Sequence, residues 1–233
     1  MGTDIAQNLA EVRERIEAAA ARAGRDPAGV TLVAVTKNMP VADIEAALAA
    51  GVRVIGENRV QEAREKYQEI GNRAEWHLIG HLQTNKVRTA VWLFTMIHSV
   101  DRLELAIEID RRARALGKHL DVLVEVNIAG EASKFGVAPE EAPALVRAMA
   151  PLEGLQIRGL MGMAPLLDDP EEARPYFRRL RRLAQEIQAE NIPRVMMEDL
   201  SMGMSNDFEV AVEEGATMVR IGTAIFGARR RNA

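Results

Sequence analysis

The chain has 233 residues, of which 48% are hydrophobic and 27% charged, and its formal net charge is -4. That balance suits a globular unit with a sizeable core and argues against a nucleic-acid binder, which usually carries a basic stripe. There is no cysteine, so disulfides and cysteine-ligated metals are excluded. No apolar run approaches the ~20 residues of a membrane-spanning helix. The N-terminus lacks the order of a signal peptide, so the sequence reads as cytoplasmic.

Residues 4–22 form the first predicted element, an amphipathic helix with Ile5, Leu9, Val12 and Ile16 at helical spacing. After Gly24 and Pro27 the pattern changes to short apolar runs alternating with amphipathic stretches. The runs predict strands over 31–36, 53–56, 76–79, 95–99, 122–127, 156–159, 195–200 and 218–221. Helical patterns lie between them, for example over 43–50, 60–70, 102–116 and 171–189. Near-continuous apolar strands such as Val122-Leu123-Val124-Glu125-Val126 suit a parallel sheet buried on both faces. Eight such units predict a single (β/α)8 TIM barrel of the α/β class, with an extra N-terminal helix. An open doubly wound sheet is the rival, but its G-x-G-x-x-G fingerprint is missing. The domain reading is one barrel over residues 1–233, with residues 1–25 packed on it as a helix. Residues 228–233 form a basic tail, whose Arg229, Arg230 and Arg231 read as solvated charge.

Function in a barrel collects where strands end at the C-terminal face. The residues there are Lys37 after strand one, Glu57 and Asn58 after strand two, and Gly80 and His81 after strand three. Asn127 and the loop with Ser133 and Lys134 follow strand five, and Met161 and Met163 follow strand six. Strand seven ends in Ser201 to Ser205, and strand eight in Gly222 and Thr223. Of the five lysines, Lys66, Lys86 and Lys118 read as surface charge, and Lys134 as solvent-facing. Lys37 ends an apolar strand at the barrel mouth. Partial desolvation lowers an amine's pKa there and suits a Schiff-base nucleophile, while a carboxylate-paired lysine is the plain alternative.

The last two strands supply an anion site. Barrels often bind phosphate at the loops after strands seven and eight. The segment from Met202 to Asp207 offers Gly203 for close backbone approach and Ser205 as the cap of a helix through Phe208 to Val212. Gly222 and Thr223 offer backbone N–H groups and a hydroxyl. An amine facing an anion site brackets a ligand with an aldehyde and a phosphate, and pyridoxal 5′-phosphate (PLP) has both. Asn58 would bond the phenolic oxygen or pack beside the ring, and Arg220 would reach the pyridine nitrogen.

Five blocks carry a family resemblance: Ala34-Val35-Thr36-Lys37, GENRVQE over 56–62, WHLIGHLQTNK over 76–86, LSMGMSND over 200–207 and RIGTAIFG over 220–227. With these blocks in order, the chain resembles the pyridoxal phosphate homeostasis (YggS/PROSC) family. The resemblance implies a barrel like the N-terminal domain of alanine racemase and PLP on Lys37. It implies phosphate contacts from Ser205, Gly222 and Thr223, with Met202, Asn58 and Arg220 completing the cofactor site. It further implies a role in controlling free PLP. Thr36 departs from the serine common before this lysine, but keeps the hydroxyl.

Two classes of function follow. One is a PLP carrier with little or no turnover, exchanging PLP with free amino acids and apo PLP enzymes. The other is a PLP-dependent racemase-like enzyme, which needs a base on each face of the cofactor. Alanine racemases take the second base, a tyrosine, from another domain and a partner subunit, and this chain has no room for that domain. Tyr67 and Tyr176 lie in helical patterns, leaving His81 as the second-base candidate. Arginine at a pyridine nitrogen only donates a hydrogen bond, so a Cα carbanion would be poorly stabilised. A Schiff-base aldolase acting on a sugar phosphate is a third reading. The four histidines are too scattered for a metal site, and the missing second domain points to a monomer.

Overall fold

The computed structural model describes residues 4–227. Its eight parallel strands close in sequence order into a barrel. They are β1 (Thr31–Val35), β2 (Val54–Glu57), β3 (Glu75–Leu78), β4 (Met96–Val100), β5 (Leu120–Val126), β6 (Leu155–Gly162), β7 (Val195–Met204) and β8 (Met218–Ile221). Closure comes from β8 pairing with β1, from Thr31 opposite Met218 to Ala34 opposite Ile221.

Between the strands run α2 (Val41–Ala49), α3 (Val60–Ile70), α4 (Val87–Leu93), α5 (Leu103–Ala115), α6 (Ala142–Met149), α7 (Arg174–Ala189) and α8 (Phe208–Glu213), with α9 (Thr223–Phe226) after β8. The leading helix α1 (Ile5–Arg22) is capped by Asp4, whose carboxylate accepts from the Gln7 N–H at 3.0 Å. It buries Ile5, Leu9, Val12, Ile16, Ala19 and Ala20. Asn8 donates to the Ile225 carbonyl at 2.8 Å, and Arg15 and Arg22 pair with Glu209 and Glu213 on α8. The predicted first helix therefore ties the last βα units to the start of the chain.

Period-two alternation sorts the strands into two layers. Outward residues such as Ala34, Ile55, Leu78 and Ile97 join the large core under the helices. Inward residues Val33, Val54, Met96, Leu123, Met161 and Met218 form a separate apolar cluster inside the barrel.

The strands differ from the sequence reading mainly in length. Strand β6 extends to Gly162, so Met161 is a buried inward residue, not a loop residue at the mouth. Strand β7 extends to Met204, so Ser201, Met202 and Gly203 belong to the sheet and not to the loop after it. Register shifts on both sides of β7 accommodate the longer strand. Residues 228–233, including the arginine run of the basic tail, lie outside the described residues.

Candidate functional site

Lys37 follows β1 in a half-buried turn, and the next residue, Asn38, sits at φ 60. Both neighbours of Lys37 are gripped from the outer layer. The Thr36 hydroxyl donates to Glu57 Oε1 at 2.6 Å, and Lys66 Nζ donates to the Thr36 carbonyl at 2.6 Å. The Asn38 N–H donates to Glu62 Oε1 at 2.5 Å. Lys66 closes the clamp by pairing with Glu57 at 2.6 Å and Glu62 at 2.7 Å.

Lys66 is therefore not surface charge, as its amphipathic helix suggested; it is only 6% exposed. The clamp turns Glu57 outward as well, away from the mouth where the sequence reading placed it. Burial raises the Glu57 carboxyl above its ordinary value, and its proximity to Lys66 only partly opposes this. The departure at Thr36 proves structural: its hydroxyl serves the clamp.

Lys37 lines one recess with Gly222 and Thr223, together with Val35, Met39 and Phe226. The amine and the strand-eight loop are thus neighbours. Ser205 joins this loop, because its Oγ accepts from the Gly222 N–H at 3.2 Å and the Ala224 N–H at 3.3 Å. Two amides converging on one oxygen make a local field that favours an acceptor. Ser205 does not cap α8. Asp207 holds the cap position, and its Oδ1 accepts from the Met204 N–H at 2.6 Å. Gly203 serves packing rather than a ligand: at φ +91, a Cβ there would lie 2.5 Å from that of Ala211 on α8. The Met202 side chain is buried in the outer core, which leaves only its backbone on the sheet.

Asn58 is half-buried, and its Oδ1 is buried without a hydrogen-bond partner. Gly80 supports it from strand three: a Cβ on Gly80 would come 2.4 Å from the Asn58 carbonyl oxygen, so only glycine fits. Arg220 points into the barrel at 4% exposure. Its guanidinium donates to Ser201 Oγ at 2.6 Å and to the Gly162 carbonyl at 3.0 Å. Burial lowers its pKa to about 10, against the attraction of Glu125 and Asp207.

In the sequence, Glu125 is only one position of an apolar strand. It is 4% exposed, its Oε2 has no partner, and burial pushes its pKa up to about 7. A carboxylate interrupting Leu123-Val124-x-Val126 was the signal that could have found it. His77 and His98, dismissed as scattered, meet inside the barrel with Nδ1 and Nε2 3.0 Å apart. Ser201 lies 2.9 Å from His98 Nδ1.

His81 stacks on Phe135 at 3.9 Å between centroids, and its Nδ1 lies 3.6 Å from Asp101 Oδ2. Lys134, beside Phe135 on the strand-five loop, is exposed. Tyr67, on α3, packs against Trp76 and Trp92, and Tyr176 lies on α7, as their helical patterns required.

The family model for the alanine racemase N-terminal domain matches residues 7–230. A pyridoxal phosphate homeostasis protein of Aquifex aeolicus is 47% identical over 225 residues, spanning 96% of this chain and 98% of the relative. The chain belongs to the pyridoxal phosphate homeostasis protein family. The crystal structure of a relative, PipY of Synechococcus elongatus with PLP bound, is 41% identical with a TM-score of 0.84. That match covers 96% of this chain and all of PipY. Alanine racemase of Clostridium difficile shares the barrel fold at a TM-score of 0.76 and 16% identity, with 98% of this chain matching 58% of the racemase.

The residues at the mouth fit the cofactor this family takes. Asn58 Oδ1 is an orphaned polar atom, Arg220 has used only two of its five N–H donors, and Lys37 adjoins a loop whose Gly222 and Ala224 amides converge on Ser205 Oγ. No helix among the described residues is long and apolar enough to cross a membrane.

Proposed function

We propose that this protein carries PLP as a Schiff base on Lys37 and serves to hold and release it, with little or no catalytic turnover. The observation that carries the reading is the recess shared by Lys37, Gly222 and Thr223, which brings Lys37 beside the loop whose Gly222 and Ala224 amides converge on Ser205 Oγ. PLP supplies the aldehyde for that amine and a phosphate for that loop. Ser205, Gly222 and Thr223 hold the phosphate, with Met202 contributing backbone at most. Asn58 orients the ring through its amide. Arg220 donates to the ring nitrogen and offers no carboxylate to protonate it, which withholds the electron sink that carbanion chemistry needs. The names of the relatives, homeostasis proteins and not enzymes, support the same reading. The released PLP would pass to amines and apo PLP enzymes.

A racemase-like enzyme is the second reading, and His81 beside Asp101 is the observation in its favour. A histidine near a carboxylate suits a general base, although His81 Nδ1 makes no hydrogen bond to Asp101. Stacking on Phe135, however, ties that ring to the loop. Two measurements separate the readings. Lys37→Ala should abolish the visible absorption band formed on adding PLP; a variant that keeps the band removes Lys37 from the role. Turnover of any amino acid at about 1 s⁻¹ or faster would favour the enzyme.

A further inference from the structure

The barrel interior holds a polar column that no binding role has yet absorbed. It runs from Arg220 through Ser201 and His98 to His77, with links of 2.6, 2.9 and 3.0 Å. Ser201 and His98 are fully buried, and His77 is 4% exposed. At its far end His77 lines a cleft of about 800 Å³ at the N-terminal end of the strands, along with Arg53, Glu75 and Asp121. The column thus spans the barrel from the mouth towards its floor.

We propose that this column has one fixed direction and that Ser201 and His98 are positioning residues for Arg220. The proposal rests on the PLP reading, because it assigns a task to the residue that faces the ring nitrogen. The direction follows from elementary donor counting. A guanidinium only donates, so Ser201 Oγ accepts from Arg220. The Ser201 hydroxyl has one proton of its own, and His98 Nδ1 is its only acceptor among the described residues. If His98 Nδ1 carried the proton instead, the fully buried hydroxyl hydrogen would have no partner, at a cost of roughly 1–3 kcal/mol. His98 Nδ1 therefore accepts, and Nε2 carries the proton. That proton is donated to His77 Nδ1, which puts the remaining His77 proton on Nε2 at the cleft.

One arginine thus sets both tautomers. The same logic shows that the column does not conduct protons. A relay reverses its bonds with each transfer, and a guanidinium end cannot accept. The column is a lock. Both rings stay neutral, since burial holds His77 down to about 4 and His98 well below its ordinary value. A charged ring there would face Arg220 across one hydroxyl.

The consequence is directional. With Ser201 and the Gly162 carbonyl fixing two N–H groups, the other donors of Arg220 keep one orientation whether or not PLP is present. Removing the hydroxyl frees the guanidinium to swing towards Glu125 or Asp207, its electrostatic neighbours.

The experiment is a ¹⁵N–¹H correlation spectrum of the histidine rings in the full chain, before and after PLP is added, with Ser201→Ala alongside. His98 and His77 should both appear as Nε2–H tautomers in the PLP-free protein and stay so on loading. Ser201→Ala should raise the PLP dissociation constant by about tenfold and shift the visible band while Lys37 still forms it. An Nδ1–H tautomer at His98 in the unsubstituted protein overturns the column without needing any variant to fold. Unchanged affinity and an unshifted band in a folded Ser201→Ala protein overturn the positioning role. Failure of the unsubstituted protein to form any band with PLP would sink the PLP reading instead, and the tautomers would still judge the column.

Discussion

Two buried polar networks lie on opposite sides of the same barrel wall. Outward, Thr36, Glu57, Glu62 and Lys66 clamp the turn that carries Lys37. Inward, His77, His98 and Ser201 brace Arg220. The outer network pairs charge with charge between β2 and α3. The inner one is neutral from His77 through His98 to Ser201 and ends on the charged Arg220, at a mouth where Asn58 Oδ1 and Glu125 Oε2 lack partners. Orphaned atoms alone do not mark a ligand site, because Glu57 Oε2 is also unpartnered in the outer layer. The side of the sheet decides. Lys37 and Arg220 are each held by a network that faces away from the mouth.

Breaking the outer clamp should have the largest effect. Lys66→Met leaves Glu57 buried and uncompensated, a change worth about 3–5 kcal/mol in denaturant unfolding. Replacing Glu57 by Gln in the same chain should recover part of that loss, since a neutral amide costs less to bury. If Lys66→Met alone costs nothing, the clamp is not a buried ion pair.

Glu125 sharpens the inner side. It holds its proton more tightly in the folded chain, at about 7, than its ordinary 4.5 allows. A raised carboxylate pKa favours folding while the group is protonated, so the contribution is complete below about pH 4.5 and is lost as pH rises through 7. Glu125→Gln should therefore gain roughly 3 kcal/mol relative to the unsubstituted protein as pH rises between those limits. A stability difference that does not change with pH would show that Glu125 is ionised throughout.

Ser205→Ala probes the loop with the smallest expected change. It strips the shared acceptor from the Gly222 and Ala224 amides. PLP affinity should weaken by about 1–2 kcal/mol, measured by titration of the visible band. An unchanged dissociation constant would remove Ser205 from the phosphate site.

Much of this was legible in the sequence because alternation and strand ends are local signals. Eight apolar runs gave the strands, and Lys37, Asn58, Arg220, Gly222 and Thr223 fell near strand ends as read. What was hidden depends on where a strand stops. Strands β6 and β7 run three and four residues beyond their apolar cores, which moved Met161, Ser201 and Met202 from the mouth into the wall. Lys66 looked solvated because a lysine in an amphipathic helical pattern is usually surface charge. Its burial depends on Glu57 pointing outward, and that was visible only once β2 was seen to include Glu57. Ser205 looked like a helix cap by residue type, yet Asp207 occupies that place and frees the hydroxyl for strand eight. His77 and His98 are far apart in sequence, and only the pairing of β3 with β4 brings them together.

The central claim is that one lysine of five takes the cofactor. Loading the protein with PLP, reducing with borohydride and mapping the modified peptide tests it most directly. The adduct should fall on the peptide containing Lys37. An adduct found only on Lys134 or another lysine, with Lys37 unmodified, would contradict the account.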